Sequence, residues 1–234
     1  MINEVDIQTY LFISQTEFKI YLFDTNNLTN LYKKEVKYTN ATLFINFNEL
    51  DKFLEDNIFK IEKLSNSFVK KIFVIIDNNE IKECSFGIKK KNYEKNINKK
   101  FLENILVDAK DLFKENNQNS NIMHILISRY LDNGNSNLNL EQKFMGDYLG
   151  LEIKFKYVPK RFISDINKVL EKYQIEIASC MDGNYIKNFF IDDQIEFSEM
   201  IFKIQNGFNE NEVKLIPKNI KKMGFFEKFF QLFS

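Results

Sequence analysis

The chain has 234 residues, of which 44% are hydrophobic and 28% charged, a balance typical of a globular protein rather than a disordered one. Its 33 basic residues equal its 33 acidic residues, so no overall field would attract nucleic acid. Two cysteines, far apart in the chain, are too few for a disulfide framework or a thiolate metal site, and the single histidine excludes any site that needs two. The start, MINEVDIQTY, lacks a signal-peptide pattern, and no window approaches ~18 apolar residues, so we expect a soluble or peripheral protein.

The first predicted elements are strands. Residues 10–23, YLFISQTEFKIYLF, predict two short strands that break at Ser14–Glu17. LYKKEVKY (31–38) predicts a third strand, and TLFINF (42–47) is a candidate for a fourth. Asn48 is then the expected cap of a helix. The apolar residues of that helix follow at helical spacing: Leu50, Phe53, Leu54, Ile58, Ile61 and Leu64.

A second group of elements begins at residue 70. The predicted order is strand 70–77, strand 81–88, helix 101–113, strand 121–131, strand 151–158, helix 160–173 and strand 175–181. This order predicts an α+β sheet with its helices on one face. A short helix over 183–190 follows, and a linker over 205–220 is indicated by Gly207 and Pro217.

The C-terminal segment 221–234, KKMGFFEKFFQLFS, is amphipathic when drawn as a helix. A Phe-rich face with lysines at its entrance is typical of an interfacial membrane anchor. Each buried Phe contributes ~1.5–3 kcal/mol, which is enough in sum for reversible attachment. The predicted membrane-binding residues are Lys221, Lys222, Met223, Phe225, Phe226, Lys228, Phe229, Phe230, Leu232 and Phe233. Packing of this helix onto the protein's own core or into a partner protein remains the alternative.

No pattern of catalytic residues emerges. His124 lies within an apolar strand and is expected to be a core or edge residue. Cys180 is expected to be a small core residue, and the basic stretch 89–95 has too few aromatic residues to indicate nucleic-acid binding. A solvated face, rather than a metal site, is expected for the acidic residues Asp192, Asp193, Glu196 and Glu199. We therefore expect no enzymatic activity, no cofactor and no metal.

The order of strands and the C-terminal segment together resemble the FtsA family of actin-like bacterial cell-division proteins. Residues 70–181 are similar to that family's inserted subdomain 1C, of SHS2 type, most clearly in NIMHILISRYLDNG (121–134) and IEIASCMDGNYI (175–186). The N-terminal hairpin resembles the first strands of an actin-like fold. Segment 221–234 resembles the helix that attaches the family to the cytoplasmic membrane.

The chain departs from that family where a nucleotide would bind. The family's first phosphate loop carries an Asp, a Gly and small hydroxyl residues, whereas Ile13–Glu17 here contain neither Asp nor Gly. Too little chain follows residue 190 for a second nucleotide-binding domain, and Asp182-Gly183-Asn184 is expected to be a simple turn. The resemblance therefore implies a shortened form without the nucleotide cleft, with a remnant ATPase as the alternative.

The resemblance implies a reduced actin-like α+β fold with five parts. Residues 1–69 and 182–204 would form the remnant of subdomain 1A, 70–181 the 1C-like subdomain, 205–220 a linker and 221–234 the membrane-targeting helix.

The implied function is a non-enzymatic scaffold of the division (septum) machinery, peripheral on the cytoplasmic face of the inner membrane. Its expected partners are anionic lipid, other division proteins and copies of itself, but not nucleic acid. FtsZ stays an open candidate, because the surface usually assigned to FtsZ lies on the missing domain. Two alternatives remain open: a PilM-like cytoplasmic scaffold of a pilus or secretion assembly, and a soluble subunit whose C-terminal helix docks into a partner.

Overall fold

The computed structural model describes residues 6–38, 44–91, 99–132, 135–138, 147–191 and 193–213. In chain order the elements are β1 (Ile7–Ser14), β2 (Glu17–Asp24), β3 (Thr29–Lys37), α1 (Phe47–Ser65), β4 (Lys71–Asp77), β5 (Lys82–Lys91), α2 (Lys99–Asn116), β6 (Ser120–Asp132), β7 (Asn135–Asn137), β8 (Tyr148–Pro159), α3 (Lys160–Glu171), β9 (Glu176–Asp182), α4 (Gly183–Phe189) and α5 (Phe197–Gln205). The predicted mixed α+β class is confirmed. These elements form two compact units, the first from the described residues of 1–81 and 158–208 and the second from the described residues of 82–157 and 209–213.

The first unit is built on a sheet of strand order β3-β2-β1-β4-β9. Strand β2 runs antiparallel to both β1 and β3, whereas β1, β4 and β9 are parallel to one another. Ser14 lies opposite Asp77, and Ile76 lies opposite Asp182, so the three parallel strands end at the same edge. The nearly continuous apolar sequences of β1 and β4 are those of strands buried on both faces.

Helices cover both faces of this sheet. On one face, Ile186 of α4 and Ile201 of α5 cluster with Tyr10 and Phe12 of β1. On the other, α1 meets β2, where the rings of Phe53 and Phe18 lie 5.9 Å apart. The expectation of helices on a single face is therefore wrong for this unit. It failed because the strand pattern shows burial but not which neighbour provides it.

Helix α1 begins earlier than the sequence predicts. Its cap is Asn46, whose side-chain oxygen accepts hydrogen bonds from the amides of Asn48 (3.1 Å) and Glu49 (3.3 Å). The predicted cap at Asn48 is thus wrong by two residues. Phe44–Asn46 are not in a strand and Phe47 opens the helix, so the predicted strand over 42–47 is not formed in its described part; residues 42 and 43 lie outside the described residues.

The second unit contains a sheet of strand order β5-β8-β6-β7. Strands β5 and β8 are antiparallel, with Phe86 opposite Ile153. Helix α2 packs on one face, where the ring of Phe113 stacks on Phe155 at 4.7 Å and Phe155 stacks on Phe86 at 5.3 Å. Alternation along β5 and β8 directs the other side chains to the opposite face.

The units divide the chain differently from the predicted domains. Strands β4 and β9 pair in the sheet of the first unit, and α3 belongs to that unit too, so residues 70–181 are not one subdomain. The second unit corresponds to the middle of that range, 82–157. A strand pairs with whichever partner the whole chain brings to it, and hydrophobic pattern alone does not identify that partner.

The predicted linker over 205–220 is wrong in its described part. Asn211 and Val213 form backbone hydrogen bonds with β6: the Ile127 amide donates to the Asn211 carbonyl (2.9 Å), and the Val213 amide donates to the Ile125 carbonyl (2.8 Å). Helix α5, which ends at Gln205, was not predicted as an element. Residues 214–220, and the C-terminal segment 221–234 with all its predicted membrane-binding residues, lie outside the described residues. None of the described helices has both the length and the apolar character needed to cross a bilayer.

Candidate functional site

Three polar residues end the parallel strands of the first unit. Ser14 closes β1, Asp77 closes β4 and Asp182 closes β9, all at the carboxyl edge of the sheet. Ligands of open α/β sheets bind outside the carboxyl ends of the strands, so this edge is where a nucleotide site would be built.

The turn from Ser14 to Glu17 is closed by its own side chain. The Ser14 hydroxyl oxygen accepts hydrogen bonds from the amides of Thr16 (3.2 Å) and Glu17 (2.9 Å), and the hydroxyl donates to the Glu17 carbonyl (3.1 Å). A phosphate loop needs such amides directed toward the ligand. Here two of them are used within the turn, which agrees with the lack of glycine between Ile13 and Glu17.

The two carboxylates at this edge also have partners within the protein. Asp77 forms an ion pair with Lys187 at 2.8 Å, and the Lys187 ammonium lies 4.5 Å from the centre of the Phe12 ring. Asp182 is buried and caps α4, accepting hydrogen bonds from the amides of Asn184 (2.9 Å) and Tyr185 (3.1 Å). The simple turn predicted at 182–184 is instead the start of this helix.

Gly183 lets α4 approach the sheet. A Cβ atom at this position would lie 2.9 Å from Cε2 of Phe12 and 3.1 Å from Cγ2 of Ile75. The glycine is thus required for packing, not for contact with a ligand. Taken together, the strand ends do not fit the phosphates of a nucleotide, because their donors and carboxylates serve the fold.

A cleft of about 490 Å³ opens beside these strand ends, within the first unit. We use "the cleft" for this space, which has apolar walls and a polar rim. The walls are formed by Phe44, Ile45, Phe47 and Phe162, and the rim by Gln15, Asn78, Asn79, Glu80, Arg161 and Asp165. Phe44 is 72% exposed. The cleft could not be predicted from the sequence, because its residues come from loops and from the first turns of α1 and α3, which lie far apart in the chain.

The remaining candidates from the sequence do not form a site together. His124 is buried and its Nδ1 lies 2.7 Å from Oε1 of Glu212, so its expected core location is confirmed. Glu196 pairs with Lys33 (2.7 Å) and Glu199 pairs with Lys203 (3.0 Å). Asp192 lies outside the described residues, and within the part of the chain that the structure describes no group of His, Cys, Asp and Glu could hold a metal ion.

The structure also shows what surrounds Cys180 and the basic stretch 89–95. Cys180 lies in β9, and burial raises the pKa of its thiol to about 12. In the stretch 89–95, Lys89 lies over the ring of Tyr148 and Lys90 pairs with Asp108, while 92–95 lie outside the described residues. Neither feature forms a reactive centre.

Comparison with solved structures finds the same fold in the PilM-PilN type IV pilus biogenesis complex. The match has a TM-score of 0.50 at 7% identity and covers 79% of this chain and 49% of that one. The chain thus spans about half the length of the structure that it matches. At this identity the likeness shows the fold alone. No family model matches the chain, and no curated protein matches it in sequence.

Two further structures match less well. One is the cytoplasmic domain of EpsL, an inner membrane component of the type II secretion system of Vibrio cholerae (TM-score 0.36, 9% identity, covering 77% of this chain and 57% of that one). The other is a protein of unknown function with an actin-like ATPase fold from Bacteroides thetaiotaomicron (TM-score 0.32, 17% identity, 82% and 60%). The resemblance to FtsA stays a prediction from the sequence.

Proposed function

We propose that this protein is a non-enzymatic, actin-like scaffold of a pilus or secretion assembly, and that it holds a segment of a partner protein in the cleft. The observation that carries the proposal is the cleft itself, with apolar walls and a polar rim beside strand ends that do not fit a nucleotide. Ligand sites of this kind combine apolar walls with a few polar groups that fix orientation. The fold shared with the PilM-PilN complex supports this alternative over a role in division.

The cleft suits a peptide with an apolar anchor. Phe44 and Phe162 offer aromatic surface, and burial of one large apolar side chain contributes ~1.5–3 kcal/mol. Arg161, Glu80 and Asp165 at the rim provide both signs of charge for backbone and side-chain groups of the partner. Association at the cytoplasmic face of the inner membrane, through segment 221–234, belongs to the same proposal.

Site-specific photo-crosslinking in the native host tests the cleft. A photoreactive phenylalanine analogue at Phe44 is expected to capture a component of a pilus or secretion assembly. The matched control is the same analogue at Phe59, which is 73% exposed on α1 and does not line the cleft. Equal capture from both positions would contradict a role for the cleft.

A division scaffold is the second candidate, favoured by the FtsA-like sequences 121–134 and 175–186 and by the Phe-rich C-terminal segment. The same experiment separates the two candidates, because capture of a division protein at Phe44 would support the second. For the proposed lack of enzymatic function, the expected result is no magnesium-dependent ATP binding by the purified protein. Tight, magnesium-dependent binding would restore the ATPase alternative.

A further inference from the structure

Three large apolar side chains are exposed where α1 turns into β4, and we call residues 59–71 the corner. Phe68 is 80% exposed, Phe59 73% and Leu64 57%. Phe59 is on the solvent side of α1, because Ile61, about 200° further around the helix, is completely buried in the core of the first unit. Apolar surface rimmed by polar residues marks a site of interaction with a protein or a membrane.

Glu62 holds the turn after α1 against the last turn of the helix. The Val69 amide donates to Oε1 of Glu62 (3.1 Å), and the Ser67 amide donates to the Glu62 carbonyl (3.3 Å). Glu62 follows Phe59 by three residues and is therefore its neighbour on the helix surface. Phe59 and Phe68 thus lie on the same corner, and Phe68 protrudes from a turn that hydrogen bonds fix.

The corner is basic. Its sequence, FKIEKLSNSFVKK, contains four lysines, no arginine and a single acidic residue, Glu62. All four lysines are exposed, and within the part of the chain that the structure describes none of them forms an ion pair or a cation–π contact. Outside the corner, Asp56 precedes the first lysine by one helical turn, and Glu176 lies opposite the last in the pairing of β4 with β9. The four lysines are Lys60, Lys63, Lys70 and Lys71.

These features favour a lipid surface over a protein as the partner of the corner. Protein interfaces are enriched in arginine and depleted in lysine, whereas the corner has lysines and no arginine. Protruding apolar side chains need no complementary surface in the headgroup region of a bilayer, where long lysine stems let the ammonium groups stay among the phosphates. Lysines beside apolar side chains on a helix also attract anionic lipid.

We propose that the corner is a further membrane contact, at which Phe59, Leu64 and Phe68 enter the headgroup region of an anionic bilayer and the four lysines bind lipid phosphates. The inference rests on the proposed function only in that segment 221–234 first holds the chain at the bilayer. Stable attachment takes two signals, and the corner alone is a weak one. The corner therefore strengthens the anchor, and a chain ending at Ile220 is still expected to remain in solution.

Tryptophan fluorescence of the full chain provides the test, because the natural sequence contains no tryptophan. Phe68→Trp places the fluorophore on the corner, and the vesicles are equimolar phosphatidylcholine and phosphatidylglycerol. The emission should shift to shorter wavelength on binding and should be quenched by lipids brominated near the headgroup. Ile191→Trp is the matched control, because Ile191 is 76% exposed and follows α4, which covers the other face of the sheet. Its emission should not change.

Sedimentation with the same vesicles tests the charges. Lys63→Glu/Lys70→Glu should weaken binding at least tenfold. Lys34→Glu/Lys82→Glu is the matched control, because it changes the net charge equally at two exposed lysines outside the corner, and it should bind like the natural chain. Thermal unfolding checks that each variant is folded. Equal weakening by both double variants would show that only the net charge matters and would overturn the proposal.

Sedimentation of Phe68→Trp without a shift or quenching of its emission would also overturn the proposal, while leaving the anchor at 221–234 intact. If the full chain does not sediment at all, both membrane contacts are overturned, whereas the cleft is tested separately by photo-crosslinking. A photoreactive phenylalanine analogue at Phe68 in the native host examines the other class of partner. Capture of a protein there, rather than of lipid, would overturn the proposal, because the corner would then be a protein interface.

Discussion

Nδ1 of His124 lies 2.7 Å from Oε1 of Glu212, and both side chains are buried in the second unit. The two residues are far apart in the chain, and Glu212 belongs to the range that the sequence identified as a linker. The adjacent backbone bridge to Leu126 joins the same segment to β6. The described residues 211–213 are thus held to β6 of the second unit by a buried pair and by backbone hydrogen bonds.

Removal of the imidazole should therefore destabilise the second unit. His124→Ala leaves the Glu212 carboxylate buried without its imidazole partner, and loss of one member of a buried pair costs about 3–5 kcal/mol. The free energy of unfolding, measured in urea, should fall by roughly 3 kcal/mol. The double variant His124→Leu/Glu212→Leu should lose less, because it leaves no buried charge. A single variant that unfolds like the natural chain would contradict the role of this pair.

The helix cap at Asn46 gives a second prediction. Asn46→Ala removes the acceptor for the amides of Asn48 and Glu49 and should cost about 1 kcal/mol of stability. Asn48→Ala is the control, because the side chain of Asn48 is exposed beyond the cap and its loss should change stability by a few tenths of a kcal/mol at most. Denaturant unfolding measures both losses. A larger loss of stability in Asn48→Ala than in Asn46→Ala would support the cap that the sequence predicts at Asn48.

Substitution by alanine should change the stability of the protein differently at two glycines. Gly183→Ala places a methyl group 2.9 Å from the Phe12 ring and should destabilise the first unit by about 1–3 kcal/mol, the usual cost of overpacking. Gly87→Ala, where the nearest atom is 3.9 Å away, should be neutral or slightly stabilising. Thermal unfolding of both variants checks this contrast. Equal tolerance of alanine at both positions would show that α4 can shift away from β1.

The thiol of Cys180 should react slowly. Burial raises its pKa to about 12, so the reactive thiolate is scarce at pH 8, and burial raises the pKa of Cys84 as well. Because the raised pKa favours the neutral thiol, the rate should be low at pH 8 and should keep rising with pH until it levels off near pH 12, and unfolding should increase it. Disulfide exchange with a chromogenic aromatic disulfide measures this rate, with urea-unfolded protein as the reference. Rapid reaction of the half-buried Cys180 in the folded protein at pH 8 would contradict a raised pKa of its thiol.

Binding of the protein to membranes should depend on segment 221–234. We expect the full chain to sediment with liposomes and a chain ending at Ile220 to remain in solution, because the Phe-rich face is the proposed anchor. The lysines should make anionic liposomes bind more strongly, by about 1 kcal/mol for each lysine near the surface. Neutral liposomes are the control. If both chains stay in solution, the phenylalanines are more consistent with a protein interface.

The sequence by itself determined most of the elements and their type. The hairpin of β1 and β2, the buried strand β4 and the amphipathic helices α2 and α3 all follow from the period of their apolar residues, which depends only on local geometry. The lack of glycine between Ile13 and Glu17 likewise foretold a turn that does not suit phosphate. These features are local, and local chemistry is what a sequence displays directly.

Only the tertiary structure decided which elements are neighbours. It placed β4 between β1 and β9, assembled the cleft from segments far apart in the chain and brought Glu212 to His124. It also distinguished Gly150, where packing requires a glycine, from Gly87, where packing leaves room for a side chain. These relationships depend on which surfaces of the folded chain pack together and exclude water. A periodic pattern shows that a residue is buried, but it does not show which other residues it packs against.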